Sequence, residues 1–139
     1  MEIADVKRRV VETIESAKRR AADRRVRTDE ATRTYEAFLN RIAVPMFRQI
    51  ANVLKAESYP FNVITPGSSV RLVSERTSDD YIELALDTSG DEPAVTLHVR
   101  RNRGRRVIES ERAIGDPAAL SEDDVLAFVA KELEPFVER

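Results

Sequence analysis

The 139-residue chain has no cysteine and no tryptophan, a single histidine and only four glycines. The lack of cysteine excludes disulfides, thiolate nucleophiles and cysteine-ligated metals. Four separated glycines are too few for a phosphate-binding loop, which needs several glycines close together and a neighbouring lysine. The chain also lacks an apolar run long enough to span a membrane, and its N-terminal residues lack the apolar core of a signal peptide. We therefore expect a cytoplasmic protein that makes no membrane contact and needs no cofactor or metal.

Charged residues, in contrast, are abundant: they make up 35% of the chain, against 42% for apolar residues. This composition and length are typical of one globular domain with a highly charged surface, so we interpret residues 1–139 as a single domain. Acidic and basic residues nearly balance at a net charge of −2, but arginine outnumbers lysine by 19 to 4. Because genome base composition alone can enrich arginine, an arginine cluster in this chain does not by itself indicate nucleic-acid binding.

The first third of the chain has the composition of one long helix. Glycine and proline are absent from residues 2–44, and Pro45 is expected to kink the helix because it removes a backbone donor and its ring clashes with the carbonyl of Arg41. Thr28 is followed by two acidic residues, as at a helix start, so the sequence leaves open whether residues 1–57 form one helix or two. From residue 35 onward, apolar residues recur at steps of three and four and predict a buried face. They are Tyr35, Phe38, Leu39, Ile42, Met46, Phe47, Ile50, Val53 and Leu54.

A weaker apolar seam marks the start of this helix. It consists of Ile3, Val6, Val10, Ile14, Ala17 and Ala21. The seam is too short for a coiled coil, which needs apolar positions over three or four heptads. We therefore expect residues 1–28 to form a helical arm that projects from the domain or takes part in a dimer.

Beyond residue 58 the apolar period changes from three or four residues to two, which predicts β-strands. The alternating runs are 59–65, 70–76, 81–87, 94–100 and 105–112, with a turn at 101–104 before the last one. Each run has one apolar and one polar face, and the connections are short, as in an antiparallel meander covered on one side.

A C-terminal helix is predicted after the strands. Ser121 and Asp124 have the spacing of a capping box, and Pro135 is expected to end regular helix near Glu134. The predicted buried stripe is Val125, Phe128, Val129, Leu133 and Phe136. The sequence thus predicts an α+β fold: a long kinked N-terminal helix, a four- to five-stranded antiparallel meander and a C-terminal helix, with the helices on one face of the sheet.

Five arginines within seven residues form the most distinctive local feature. They are Arg100, Arg101, Arg103, Arg105 and Arg106, at the tip of a predicted hairpin. Guanidinium groups bind phosphates well, so this tip is a candidate nucleic-acid site. Against that interpretation, no aromatic residue lies among the arginines to stack on a base, and the overall pI is near 5.6. A solvated hairpin whose charges protect a sheet edge is the alternative.

No residue pattern indicates a catalytic or metal site. His98 is predicted on the polar face of its strand, where Glu83 and Glu109 on neighbouring strands are its candidate partners, but a surface histidine needs no catalytic explanation. The acidic residues between strands do not match a calcium loop and are typical of turns. They are Asp79, Asp80, Asp87, Asp91 and Glu92.

These features favour a non-enzymatic protein-interaction domain that forms a homodimer and binds an unidentified protein partner through the open face of its sheet or its N-terminal helix. A nucleic-acid-associated protein that uses the arginine tip is the alternative. A domain with a small-molecule or hydrolytic pocket is a further alternative, which a polar cluster among Tyr35, Tyr59, Tyr81 and His98 would favour.

Overall fold

The computed structural model describes residues 1–138 and begins with a nearly continuous helical stretch. Helix α1 spans Ile3–Phe38, a π-helical segment spans Leu39–Ala43, and α2 spans Val44–Ala56. The helix passes through Thr28 without a break, so residues 3–38 form one helix rather than two. At 1.5 Å per residue, α1 is about 54 Å long.

The π-helical segment lies immediately before Pro45, the residue expected to kink the helix. Here the N–H of Val44 donates to the carbonyl of Leu39, five residues back rather than four. In a regular α-helix the ring of Pro45 would meet the carbonyl of Arg41, whereas the wider π turn makes room before the proline. Pro45 then lies in the first turn of α2, a position that proline tolerates.

Five strands follow, each paired antiparallel with its sequence neighbour, in the order β1-β2-β3-β4-β5. They are β1 (Phe61–Ile64), β2 (Val70–Ser74), β3 (Tyr81–Asp87), β4 (Ala94–Arg103) and β5 (Arg106–Gly115). The first strand begins later than predicted because residues 57–59 form the C-terminal cap of α2. Ser58 adopts a left-handed φ of 72°, and the N–H of Tyr59 donates to the carbonyl of Leu54 at 2.7 Å, which closes the helix.

One face of the sheet forms the core with α2 and with α3, which spans Glu122–Val137. Alternate strand residues point into this core, and the antiparallel register places Val70 opposite Leu84 and Leu72 opposite Ile82. All four side chains are buried. The predicted α+β fold, with an antiparallel meander between a long N-terminal and a C-terminal helix, is confirmed.

The start of α3 follows the prediction, but its end does not. Ser121 accepts a hydrogen bond from the N–H of Asp124, whose carboxylate accepts the N–H of Ser121, so the capping box is present. The prediction that Pro135 ends the helix near Glu134 is wrong, because α3 continues to Val137. Proline is tolerated here because it lies in the last turn, where few backbone hydrogen bonds follow. The N–H of Glu138 still donates to the carbonyl of Glu134.

The last hairpin is also tighter than predicted. Arg103 pairs with Arg106, so the loop consists of Gly104 and Arg105 rather than residues 101–104. Gly104 has φ 63°, which suits glycine at the first position of a type II′ turn. Arg101 is consequently a strand residue opposite Ile108.

Candidate interaction surfaces

The first 20 residues contribute nothing to the core. We call residues 3–20 of α1 the arm and the remainder of the described chain the head. The apolar side chains of the arm are open to solvent: Ile3 is 88% exposed, Val10 51% and Ile14 47%. This exposure follows from the architecture, because α1 is longer than the sheet against which its C-terminal end packs.

Tyr35 fastens the other end of α1 to the head. Its ring is buried, and its hydroxyl donates to the carbonyl of Ser68 in the loop between β1 and β2. Burial, and secondarily the negative charge of Glu83, raise the pKa of the Tyr35 hydroxyl well above its usual value. The phenol therefore stays neutral, and α1 meets the sheet at a fixed point.

A second apolar surface lies between α2 and α3. The two helices leave a groove of about 320 Å³ between them. Its lining consists of Met46, Gln49, Ile50, Val53, Leu54, Leu126, Ala130 and Leu133. Val53 was predicted to be buried but is 63% exposed, because it lies on the groove side of α2 rather than facing the sheet. The groove was not predicted. Its signal in the sequence is the spacing of Leu126, Ala130 and Leu133 by four and three residues, which places them on one side of α3.

The arginine cluster does not form a single surface. Arg100 lies on the open face of the sheet, where its Nε is 3.3 Å from Glu109 and one terminal nitrogen is 3.8 Å from Asp79. Arg101 and Arg103 lie on the opposite face, beyond the end of α3, in a concave surface that includes Pro135. Within residues 1–138, the ion pairs include Arg100 but none of the other four arginines. Of the five candidate residues, Arg100 is thus ion-paired on the open face, and the other four retain guanidinium groups outside these ion pairs.

The open face of the sheet carries a chain of paired polar side chains. Arg71 bonds Glu83 at 2.9 Å and lies 4.1 Å above the ring of Tyr81, which in turn makes an edge contact with His98. His98 Nε2 is 3.9 Å from a carboxylate oxygen of Glu109. Both predicted neighbours of His98 are therefore on its face. These contacts are what a cross-strand ladder provides, and they account for the polar face without a substrate.

The polar cluster that would favour a small-molecule pocket is not formed by the four residues considered. Tyr81 and His98 touch, with ring centroids 5.6 Å apart. Tyr35 instead bonds the β1–β2 loop, and the hydroxyl of Tyr59 is 3.4 Å from the carbonyl of Val137 at the end of α3.

Turn chemistry accounts for Asp87, as predicted. Its carboxylate accepts the backbone N–H and the hydroxyl of Ser89, and these bonds hold the pKa of Asp87 below its usual value. Asp80 differs from the prediction of an ordinary turn residue, because it is buried and accepts the N–H of Asn102 at 2.8 Å. That bond ties the β2–β3 loop to β4 near the hairpin tip.

Within the described chain, no group of three or more histidine or acidic side chains is arranged to hold a metal ion. No helix of residues 1–138 combines the length and apolar character needed to cross a membrane. The fold and these surfaces define an α+β domain with a projecting helical arm. No family model, curated protein or solved structure matches the chain.

Proposed function

We propose that this protein is a non-enzymatic interaction domain that forms a homodimer through its arm. The observation that carries the proposal is the exposed apolar seam of α1, which includes Ile3, Val10 and Ile14. The proposal keeps the cytoplasmic location that the sequence predicts.

The seam continues the helix face that packs on the head. Ile14, Ala21, Thr28 and Tyr35 are spaced by seven residues, so they lie along one side of α1, and Tyr35 at the end of this row is buried. The face that is covered in the head is therefore uncovered in the arm. Because most helical stability in proteins comes from packing of the apolar face, the arm lacks the support that the rest of α1 has. Fully burying one Val or Ile side chain contributes about 1.5–3 kcal/mol. A second copy that covers the seam would stabilise the arm.

Sedimentation equilibrium over a concentration series tests this proposal. The variant Val10→Gln with Ile14→Gln removes apolar surface without adding charge, and glutamine favours helix. The matched control is Arg9→Gln with Glu12→Gln, two exposed residues on the other side of the arm, which leaves the net charge unchanged.

We expect the wild type and the control to dimerise and the seam variant to dissociate at least about tenfold more easily, equivalent to about 1.4 kcal/mol. A wild type that stays monomeric at every concentration contradicts the proposal. Equal dimerisation of all three proteins contradicts the role of the arm.

Nucleic-acid binding through the hairpin tip is a second candidate function. The observation in its favour is that Arg101, Arg103, Arg105 and Arg106 take part in none of the ion pairs within residues 1–138. Unpaired guanidinium groups on a narrow tip can contact phosphates without first breaking other bonds.

A salt series with random duplex DNA and with single-stranded RNA tests this candidate. The variant carries Glu at Arg101, Arg103 and Arg105, and a control with the same charge change carries Glu at the exposed Arg33, Arg41 and Arg48. If the tip binds phosphates, a plot of log K against log salt concentration has a slope about 3 smaller in magnitude for the tip variant than for the wild type. The control variant should change this slope less. Lack of binding by the wild type at low salt, or equal losses in both variants, excludes the tip.

A further inference from the structure

We propose that the groove between α2 and α3 receives the arm of a second copy, so that the two chains exchange arms. This inference rests on the proposed homodimer and names the surface that covers the seam. In one symmetric dimer, each chain would place its arm in the groove of the other, so the same apolar contact would form twice.

The arm cannot fill the groove of its own chain. The π-helical segment is the only interruption between α1 and α2, and it preserves the helical path, because Val44 still bonds back to Leu39. The arm therefore points away from the head on which its own groove lies. Only a second chain can present an arm to that groove.

The apolar spacing of the two surfaces is the same. Along the arm, Val10, Ile14 and Ala17 are separated by four and three residues. Along α3, the groove residues Leu126, Ala130 and Leu133 have the same separations. In α3 the small Ala130 lies between two leucines, which leaves room for an apolar side chain of the arm to pack between them.

The charges beside these rows are complementary. In the arm, Lys7 and Lys18 lie beside the seam and are 11 residues apart, about 16 Å along a helix. In α3, Asp123 and Glu134 are also 11 residues apart, and each is three or four residues from a groove residue. All four side chains are exposed in the single chain. The two lysines therefore match the two carboxylates in either helix direction, and the helix dipoles favour the antiparallel one.

Disulfide trapping tests the inference, and the absence of cysteine from the natural chain makes each introduced cysteine unique. Full-length chains with Leu126→Cys are mixed with chains of distinguishable mass that carry Ile14→Cys or Val10→Cys. The matched control carries Glu12→Cys, on the outer side of the same arm. Sedimentation equilibrium of the mixed proteins before oxidation reports whether they dimerise.

We expect mixed disulfides between the seam cysteines and Leu126→Cys to form about tenfold faster than with the control, because a disulfide needs Cα atoms within about 7 Å. Faster trapping from Ile14→Cys indicates antiparallel helices, and faster trapping from Val10→Cys indicates parallel ones. Dimers whose disulfides join only two seam cysteines contradict the groove as the binding site of the arm, but not the homodimer. The same holds if seam and control cysteines react equally fast with Leu126→Cys. Monomers throughout overturn both proposals.

Discussion

At the scale of single residues, Tyr35 decides how α1 meets the sheet. Its buried hydroxyl bonds the Ser68 carbonyl, while the charge of Glu83 lies near enough to raise the pKa of the phenol further. The sequence identified Tyr35 as a core residue from its helical spacing. It did not reveal the hydrogen bond, because the two partners are 33 residues apart and meet only when the sheet forms.

Replacing Tyr35 with Phe is expected to lower the free energy of unfolding by about 1 kcal/mol near neutral pH, since one hydrogen bond is lost and the ring is kept. The pKa is raised in the folded state, so the wild-type contribution is complete below the unfolded pKa near 10 and is lost as the pH rises beyond it. Urea unfolding of both proteins from pH 7 to 11 measures this difference.

The difference between the wild type and Tyr35→Phe should therefore shrink above pH 10. Tyr59→Phe is the control for general alkaline effects, because the Tyr59 hydroxyl is exposed. A difference that stays constant to pH 11 would show that Tyr35 does not titrate differently in the folded and unfolded chains.

At the scale of elements, the sequence predicted whether a segment is helix or strand better than it predicted where each element begins and ends. The strand pattern predicted β3 with its observed bounds, because Tyr81–Asp87 alternates cleanly and has turns on both sides. Pro45 correctly marked a perturbed helix, but nothing in the local composition distinguishes a kink from an extra residue in a π turn. Val53 was placed in the core because its spacing continues the apolar stripe, whereas the π segment changes the rotation of α2 relative to α1.

Deletion of Asn40, an exposed residue of the π-helical segment, tests whether the extra residue is needed. Without it a regular α-helix could keep the present alignment of α1 and α2, because the π turn absorbs one extra residue, but it would bring the ring of Pro45 against the carbonyl of Arg41. We expect a loss of about 3 kcal/mol or more in the free energy of unfolding, measured with denaturant.

The control for the deletion is Asn40→Ala, which keeps the chain length and should change stability by less than about 0.5 kcal/mol. Equal stability of the deletion and the substitution would mean that the ring of Pro45 is accommodated without the π turn. The π-helical segment would then have no structural role of its own.

At the scale of the whole molecule, the arm and the groove are two apolar surfaces that the single chain leaves partly uncovered. The sequence predicted a projecting or dimerising helical arm over residues 1–28, because the weak seam fades into charged residues before the strong apolar stripe begins. It did not predict the groove, since the exposed sides of α2 and α3 come together only through tertiary packing. Sequence reasoning therefore recognises an uncovered helix more readily than a groove that forms only when two helices pack together.

If the arm lies in the partner's groove, reversing the charges on one side of the contact should weaken the dimer, and reversing both sides should restore it. Lys7→Glu with Lys18→Glu places four like-charged contacts in the symmetric dimer, as does Asp123→Lys with Glu134→Lys. At about 0.5 kcal/mol for each exposed pair, either double variant should weaken the dimer by about 2 kcal/mol, roughly thirtyfold in Kd. The quadruple variant restores opposite charges and should recover most of the affinity, which sedimentation equilibrium at low salt measures.

Recovery in the quadruple variant is the decisive outcome, because changes in net charge alone cannot produce it. The quadruple variant has the wild-type net charge, whereas the two double variants differ from it in opposite directions. The losses should also shrink at high salt, since all four groups are exposed in the single chain and would lie at the rim of the contact. Weak dimers in all three variants would show that these charges act independently, and the arm would then lie on some other surface of its partner.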